Sequence, residues 1–222
     1  MAYRRTEKVA RRLAARHDAI IAAAGALAAE RGMAAVQIVP VAQRAGIAAG
    51  TVYRYFPSKT EMVAALVAAV SERELAAMRR AAGAAPGPLS ALAAAIATFA
   101  ARALAQRRLA WAVLAEPADP EIGEARMSYR RALAAEVTAR LSAAVAAGHL
   151  PEQDTALTAA ALVGALVEGL VGPLAPDLPD DAVKARAAAQ TLTLLALRAV
   201  GVVDARARGL VVQTPLTDMA AD

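Results

Sequence analysis

The sequence predicts an all-α protein, with a small N-terminal head of three helices followed by a larger C-terminal helical bundle. Hydrophobic residues make up 58% of the 222 residues and aromatic residues only 3%, because much of the hydrophobic fraction is alanine. Alanine is the strongest helix former and fills little core volume, so this composition favours closely approaching helices over long strands. Apolar residues recur at helical spacing, and the cluster Pro86-Gly87-Pro88 marks a boundary between head and bundle.

The N-terminal end is strongly basic. Residues 1–60 carry ten Lys or Arg side chains against three Asp or Glu, a net charge of +7, which leaves −2 on the remaining residues. This separation of charge is typical of a nucleic-acid-binding end, and a solubilising tail is the alternative. Residues 1–15 are expected to form either a mobile arm or a helical extension. The first helix of the head follows, with Asp18 as its expected N-cap and Gly32 at its end.

Residues 38–57 have the spacing of a helix-turn-helix, two short helices joined by a tight turn. Ala42 is small enough for the second helix to cross close by, and Gly46 can adopt the positive φ that the turn needs. Val52 and Phe56 are four residues apart and share the face expected to pack inward. The neighbouring face is then free, and the second helix of such a motif enters the major groove of DNA.

This motif resembles the signature of the tetracycline-repressor (TetR) family of transcriptional regulators. The matching residues are Ala45-Gly46-Ile47 and Gly50-Thr51-Val52-Tyr53-Arg54-Tyr55-Phe56-Pro57-Ser58-Lys59. The resemblance covers residues 16–70, and the rest of the chain is similar to the family only in its helical pattern. It implies a homodimeric, ligand-responsive regulator, more often a repressor than an activator, that binds a palindromic operator in double-stranded DNA.

The resemblance also implies which side chains contact DNA. Tyr53 donates its hydroxyl to a phosphate, Thr51 faces a base edge or the backbone, and Lys59 adds charge at a helix N-terminus that favours anions. The other candidates are Gln37, Arg44, Ala49, Gly50, Arg54 and Tyr55. The alternatives are that the tyrosines cover the small core and the arginines are solvated. Two positions depart from the family pattern, because Ala48 cannot cap the recognition helix and Gln37 stands where Thr is frequent.

The C-terminal part reads as a series of helices. Ser58 and Glu61 are spaced as a capping box and begin a connecting helix that ends near Ala82. Five further helices are expected at residues 89–105, 107–115, 121–147, 153–171 and 180–200. The predicted domains are a basic arm (1–15), a helix-turn-helix DNA-binding domain (16–62), the connecting helix (63–82), a ligand-binding and dimerisation domain (83–203) and a flexible tail (204–222).

The last two long helices alternate small and apolar residues, which is compatible with a core contact or with a two-fold dimer interface. These residues are Leu157, Ala161, Gly164, Ala165, Val171, Leu192, Leu195 and Val200. The resemblance favours the homodimer, and it implies a pocket for a small-molecule effector in the same domain. Candidate ligand contacts are Phe99, Arg102, Trp111, Met127, Tyr129 and Glu168, with Glu116 and Arg126 as further polar candidates. Ordinary core packing and surface ion pairs are the alternative.

Several function classes find no support. The chain has no cysteine, which excludes disulfides and thiolate metal sites and fits a reducing cytoplasm. His17 and His149 are isolated, and no nucleophile motif, phosphate loop or metal spacing is present, so no enzyme, cofactor or metal is expected. The apolar run between Arg80 and Arg102 is broken by Pro and Gly, so no membrane span is expected. The alternative to a regulator is a helical small-molecule-binding or adaptor protein with a degenerate DNA-binding head.

Overall fold

The computed structural model describes residues 2–117, 120–177 and 181–215, which form an all-α fold without strands. The head contains α1 (Ala2–Arg31), a 3₁₀ turn (Met33–Ala35), α2 (Ile38–Arg44) and α3 (Ala49–Tyr53). The body contains α4 (Lys59–Gly83), α5 (Pro88–Ala105), α6 (Arg107–Leu114), α7 (Pro120–Ala146), α8 (Thr155–Leu170), α9 (Ala182–Ala199) and α10 (Asp204–Gln213). The predicted fold class is confirmed.

The first helix is longer than the sequence indicates. α1 has 30 residues, so the basic arm is a helical extension of the head. Asp18 lies in the middle of α1 and is not its N-cap; its Oδ1 is 3.2 Å from His17 Nδ1. From Ile20 onward the apolar stripe of α1 is buried. Gly32 ends the helix with φ +83°, a conformation that glycine adopts without steric cost.

The turn between α2 and α3 is a helix C-cap built on Gly46, which has φ +65°. The Gly46 N–H donates to the Gln43 carbonyl oxygen at 3.2 Å. The Ile47 N–H donates to the Ala42 carbonyl oxygen at 3.0 Å, and the two bonds together satisfy the last carbonyls of α2. Ala42 and Val52 are buried where the two helices cross, so the predicted helix-turn-helix packing is present.

α5 is the central helix of the body and packs against α4, α7 and α9. Its alanines, including the fully buried Ala93, Ala95 and Ala100, allow these neighbours to approach closely. The helix ends at Ala105, the predicted residue, and its apolar stretch runs from Pro88 across Arg102 to this end. It is long and apolar enough to cross a bilayer, but 72% of that stretch is buried inside the protein.

The predicted tail is helical over its first part. α10 packs against α9 and α5 through the buried residues Ala207, Leu210 and Val211. The prediction of a flexible segment from residue 204 is therefore wrong for residues 204–213, whose three apolar positions have the spacing of a helix face. The end of the predicted tail, residues 216–222, lies outside the described residues.

The start of α9 is capped by Asp181, whose Oδ1 accepts the Val183 N–H at 2.8 Å. This carboxylate satisfies a backbone donor that the helix itself leaves unpaired. The predicted first residue of this helix, residue 180, lies outside the described residues.

A buried carboxylate joins α4 to α7. Glu136 is 6% exposed and accepts hydrogen bonds from Arg79 Nε at 2.8 Å and Arg140 Nη2 at 2.6 Å. Burial alone would raise the pKa of Glu136, but the hydrogen bonds from Arg79 and Arg140 outweigh it, and the pKa lies below the ordinary 4.5. Since Arg79 lies on α4, this cluster fixes the connecting helix to the body.

Glu136→Gln should lower the free energy of unfolding at neutral pH by about 1–3 kcal/mol, because two guanidinium groups then face a neutral amide. The pKa of Glu136 is lower in the folded protein than in the unfolded chain. Its stabilising contribution is therefore complete above pH 4.5 and is lost as the pH falls through the folded pKa. Denaturant unfolding across this range should show the two proteins converging in acid.

The matched control is Glu152→Gln, which changes an exposed carboxylate and should have little effect at any pH. A stability loss in Glu136→Gln that stays the same from neutral to acid pH would contradict the role given to the ionised carboxylate.

Candidate nucleic-acid interface and ligand pocket

The outer face of α3 is a small polar surface on the head. Tyr53 is 53% exposed, Arg54 after it is exposed, and Thr51 is half-buried beside them. Val52 and Phe56 lie behind this face and are buried in the core of the head. Core packing therefore holds the polar face outward, as the sequence predicts.

The N-terminus of α3 has no side-chain cap. Ala48 is its N-cap residue and accepts no hydrogen bond through its side chain. Gln37 is the N-cap residue of α2, but its side chain donates to the Ala34 carbonyl oxygen at 3.1 Å instead. Gly50 lies in open space, since a Cβ there would meet no atom within 4 Å. The internal packing of the head therefore does not require glycine at this position, and the surface there is accessible.

Two side chains that are predicted to contact DNA already have contacts within the head. Arg44 donates from Nη1 to Glu30 Oε2 at 2.7 Å and from Nη2 to the other carboxylate oxygen, joining α2 to α1. The hydrogen bond from Arg44 holds the pKa of Glu30 below its ordinary value. Tyr55 is half-buried and packs against the hydrophobic core. Arg44 and Tyr55 thus each have a structural contact within the head, and their contact with DNA stays a prediction.

The N-terminus of α4 lies directly after this surface in the chain. Ser58 caps it by accepting the Glu61 N–H at 3.1 Å. Among the described residues the reciprocal bond from the Glu61 side chain is not found, so half of the predicted capping box is formed. Lys59 is the first residue of α4 and is half-buried. A cation at a helix N-terminus is unfavourable unless an anion is close.

Glu116, which follows α6, connects the body to the head. Its Oε2 accepts the Met33 N–H at 2.8 Å, at the turn that ends α1. A Cβ on Gly32 would lie 2.8 Å from Glu116 Oε1, so glycine is required for this approach. Arg126 on α7 donates to the carbonyl oxygens of Glu116 and Ala112 and fixes the end of α6. Glu116 and Arg126 were both predicted as candidate ligand contacts, and in the structure they hold the head. We call the hydrogen bond from the Met33 N–H to Glu116 the head clip.

A pocket lies between α4, α5, α6 and α7. Its enclosed volume is about 20 Å³, enough for one water molecule, and with its mouth it contains about 300 Å³ of unfilled space. The apolar wall includes Phe99, Leu109 and Val113. Three of the predicted ligand contacts, Phe99, Arg102 and Tyr129, line this pocket together.

The polar groups of the pocket surround Glu74 on α4. Arg102 Nε donates to Glu74 Oε2 at 2.6 Å, and both side chains are largely buried. Arg73 Nε donates to Glu74 Oε1 at 3.1 Å. Tyr129 is 2% exposed and lines the same pocket. Burial, and then Glu74, raise the pKa of Tyr129 far above its ordinary value, so the phenol is a neutral donor.

The other three predicted ligand contacts lie away from this pocket. Trp111 is half-buried on α6, and Met127 is exposed on α7. Glu168 accepts the Leu174 N–H at 2.8 Å and closes the turn after α8. Glu74 is not recognisable from the sequence as a pocket residue, because nothing local shows that this position of α4 faces α5. In the described part of the chain no group of three acidic or histidine side chains is placed to hold a metal ion.

α8 and α9 share an uncovered face. Its exposed residues include Leu157, Ala161, Gly164, Ala165 and Leu195, as the interface prediction requires. Val171 and Val200 are buried in the core and do not belong to this face, which corrects the prediction for these two residues. Leu192 is half-buried, and its Cδ2 lies 3.2 Å from the position of a Cβ on Gly169, so α8 and α9 are in contact there.

Sequence comparison identifies relatives of the head. The profile described as bacterial regulatory proteins, tetR family, matches residues 20–66. The transcriptional repressor KstR of Rhodococcus jostii is 47% identical over 58 residues, which is 26% of this chain and 27% of that protein. KstR of Mycolicibacterium smegmatis is 43% identical over 58 residues, 26% of this chain and 28% of its own length. The match thus spans about a quarter of the length of these curated relatives.

Solved structures extend the similarity to the body. RolR in complex with resorcinol has a TM-score of 0.66 at 22% identity, covering 95% of this chain and all of RolR. The regulator FadR from Bacillus subtilis, in complex with stearoyl-CoA, has a TM-score of 0.67 at 18% identity, covering 83% of this chain and 98% of FadR. At these identities the similarity shows a shared fold for head and body.

Ala48→Ser should raise the free energy of unfolding by about 1 kcal/mol, because the serine hydroxyl can accept a backbone N–H in the first turn of α3. The matched control is Ser58→Ala, which removes the existing cap of α4 and should lower the free energy of unfolding by a similar amount. Thermal unfolding of both variants is the measurement. No gain from Ala48→Ser, together with a loss from Ser58→Ala, would show that packing alone determines the start of α3.

Proposed function

We propose that this chain, a member of the TetR family of bacterial regulatory proteins by its N-terminal domain, is a ligand-responsive transcriptional repressor. It acts in the cytoplasm as a homodimer on a palindromic operator. The observation that carries the proposal is the outward polar face of α3, held by Val52 and Phe56 within the segment that matches the family. A helix of five residues is not stable alone in water, so the packing of Val52 and Phe56 is what holds its polar face outward.

The proposed DNA contacts divide into two groups. Tyr53 and Lys59 bind phosphates, Tyr53 through its hydroxyl and Lys59 through its charge, next to the N-terminus of α4. Thr51 faces a base edge in the major groove, and the open surface at Gly50 lets the backbone approach the DNA. Arg54 is exposed and can contact either a phosphate or a base edge. Ala49 is proposed to lie beside a thymine methyl group.

The charge distribution supports binding to a polyanion. Residues 1–60 have a net charge of +7 and the remaining residues −2, so the electrostatic attraction is concentrated at the head. Arg12 and Arg16 extend this positive charge along the helical arm beyond the head. Affinity should therefore fall steeply as the salt concentration rises.

The homodimer is proposed to form through the exposed face of α8 and α9. Small residues such as Ala161 and Gly164 let the helices of two copies approach closely, and two helices from each copy would make a four-helix bundle. A two-fold axis then places the two α3 helices symmetrically, as a palindrome requires.

The response to ligand is proposed to pass through α6. One side of α6 lines the pocket through Leu109 and Val113. Glu116, two residues after the end of α6, holds the head through its hydrogen bond with the Met33 N–H. The pocket has room for one water molecule as it stands, so a larger ligand must displace its walls. Displacement of α6 would alter the head clip, tilt the head and change the separation of the two α3 helices.

Tyr53→Phe should weaken DNA binding about fivefold, because it removes one hydrogen bond to a phosphate. Lys59→Ala should reduce the dependence of the binding constant on salt concentration by about one phosphate contact. Both effects should appear on every DNA sequence, whereas Thr51→Ala should change sequence preference. A salt-titrated binding assay on a palindrome from upstream of the chain's own gene measures all three.

The charge control is Arg131→Ala, which removes an exposed cation from α7 on the body and should leave DNA binding unchanged. Absence of specific binding at this palindrome and at every genomic site recovered by selection would contradict the proposal. Ligand binding without any salt-dependent DNA binding would instead support the helical small-molecule binder or adaptor. That function is favoured by the occupied side chains of Gln37 and Arg44.

Ala161→Arg should convert the dimer to a monomer, because it places a charge on the uncovered face of α8. The matched control is Ala143→Arg, at an exposed alanine of α7 outside that face. Light scattering coupled to size-exclusion chromatography gives the mass of each variant. A dimer that survives Ala161→Arg and dissociates with Ala143→Arg would place the interface elsewhere.

A further inference from the structure

We propose a second ligand site, in the groove beneath α1, for an amphiphilic carboxylate, which is a compound with one apolar chain and one anionic end. The groove lies where α1 of the head meets α4 and the start of α6. Its volume is about 440 Å³, within the range of small-molecule sites. Three features select the ligand: the length of the groove, its apolar lining and the positive charge at its body end.

The groove is elongated along two helices. Its lining follows α1 from His17 to Ala29, about 18 Å, and α4 from Leu66 to Arg73, about 10 Å. A fully extended chain advances about 3.5 Å for every three bonds. An alkyl chain of the length of octanoate therefore spans about 8 Å. Such a chain fits along α4 within the groove.

The lining is mostly apolar and its side chains are small. Ala22 on α1 and Ala69 on α4 are exposed, so an alkyl chain that covers them removes apolar surface from water. A Cβ on Gly25 would lie 3.4 Å from Leu66 Cδ1, an ordinary packing distance. The packing of α1 on α4 therefore does not require glycine there, and the small side chains leave the groove open to a ligand.

The body end of the groove carries positive charge that is only partly compensated. Arg73 and Arg102 both donate to Glu74, so two guanidinium groups share one carboxylate. Glu74 and Arg102 are largely buried, whereas Arg73 is partly exposed and lines the groove. Arg73 makes its bond through Nε, so its two Nη groups can bind a ligand carboxylate together. An anion is therefore favoured at this end.

The head end of the groove has the opposite character. His17 and Asp18 line it, and the His17 ring lies 5.0 Å from the ring of Phe56, the buried residue behind α3. Phe56 precedes α4, whereas Arg73 lies about four turns along α4. The Asp18 carboxylate would repel an anion at the head end. The ligand carboxylate is therefore placed at Arg73 and the alkyl chain extends toward the head, so one molecule contacts both parts of the protein.

The test is a calorimetric titration of the free full-length protein, without DNA. The probes are octanoate, 1-octanol (the same chain without the charge) and hexanoate (the same charge on a shorter chain). We expect octanoate to saturate one site per chain and 1-octanol to bind at least tenfold more weakly, because it cannot pair with Arg73. Hexanoate should bind about tenfold more weakly, since each buried CH₂ group strengthens binding about fourfold.

Arg73→Met removes the charge and keeps an apolar side chain, so it should weaken octanoate binding at least tenfold and leave 1-octanol unchanged. Its matched control is Arg131→Met, at an exposed arginine of α7. Ala69→Phe fills the groove from an exposed position and should abolish binding of both probes. Its matched control is Ala68→Phe, at the neighbouring exposed alanine, which lines a different groove between α4 and α7.

A further variant separates the groove from the pocket between the body helices. The two spaces share four lining residues, which are Val70, Arg73, Gln106 and Leu109. Ala110 lines only the pocket and Ala69 only the groove, so Ala110→Phe should leave octanoate binding unchanged. Hydrogen exchange gives a second signal, because octanoate should slow the exchange of α1 amides between residues 17 and 29. Circular dichroism establishes which variants are folded.

Loss of octanoate binding in Ala110→Phe, with no change in Ala69→Phe, would place the ligand in the pocket and overturn the site. Equal binding of octanoate and 1-octanol would overturn the assignment of the charge to Arg73. Absence of octanoate binding would overturn the inference as a whole. Failure of DNA binding in the separate salt-titrated assay would leave these titrations interpretable, so this site and the proposed function can fail independently.

Discussion

The head clip, from the Met33 N–H to the Glu116 carboxylate, is the contact on which the orientation of the head depends. The head is joined to the body covalently through α4, and α1 also packs against α4 and α6 through apolar contacts, which are not directional. The clip adds a second point, at the turn that ends α1, and Arg126 holds the segment that carries Glu116. Gly32 makes this possible, because any side chain there would meet the carboxylate.

The same helix that ends at the clip forms one wall of the pocket. α6 is short, with eight residues, and it contacts α1 of the head more extensively than it contacts α5 or α7. A helix of two turns moves as a rigid unit, so a change on its pocket side is transmitted to its end. In contrast, the Glu136 cluster fixes α4 to α7 through one buried carboxylate that is paired with Arg79 and Arg140. The body therefore combines a firmly held connecting helix with a smaller helix, α6, that contacts both the pocket and the head.

The parts of the protein that the sequence predicts correctly are those that depend on local spacing. Ala42, Gly46 and Val52 lie within ten residues of one another, and their order specifies a helix-turn-helix. The clip joins residues 83 apart, and the Glu74–Arg102 pair joins residues 28 apart on helices whose facing sides no local pattern reveals. α10 was missed because its apolar residues are few and are interleaved with arginines. Arg44 could not be assigned either, since its partner Glu30 belongs to another helix.

The most direct test of a rigidly held, paired DNA-reading head is selection of bound sequences from random DNA. In the proposed dimer, two heads fixed to one body should recover inverted half-sites at a single separation, with centres about one helical turn apart or a multiple of it. Single half-sites, or half-sites at freely varying separations, would show that the heads are not held in register. Such a result would contradict the role given to the clip and to the dimer.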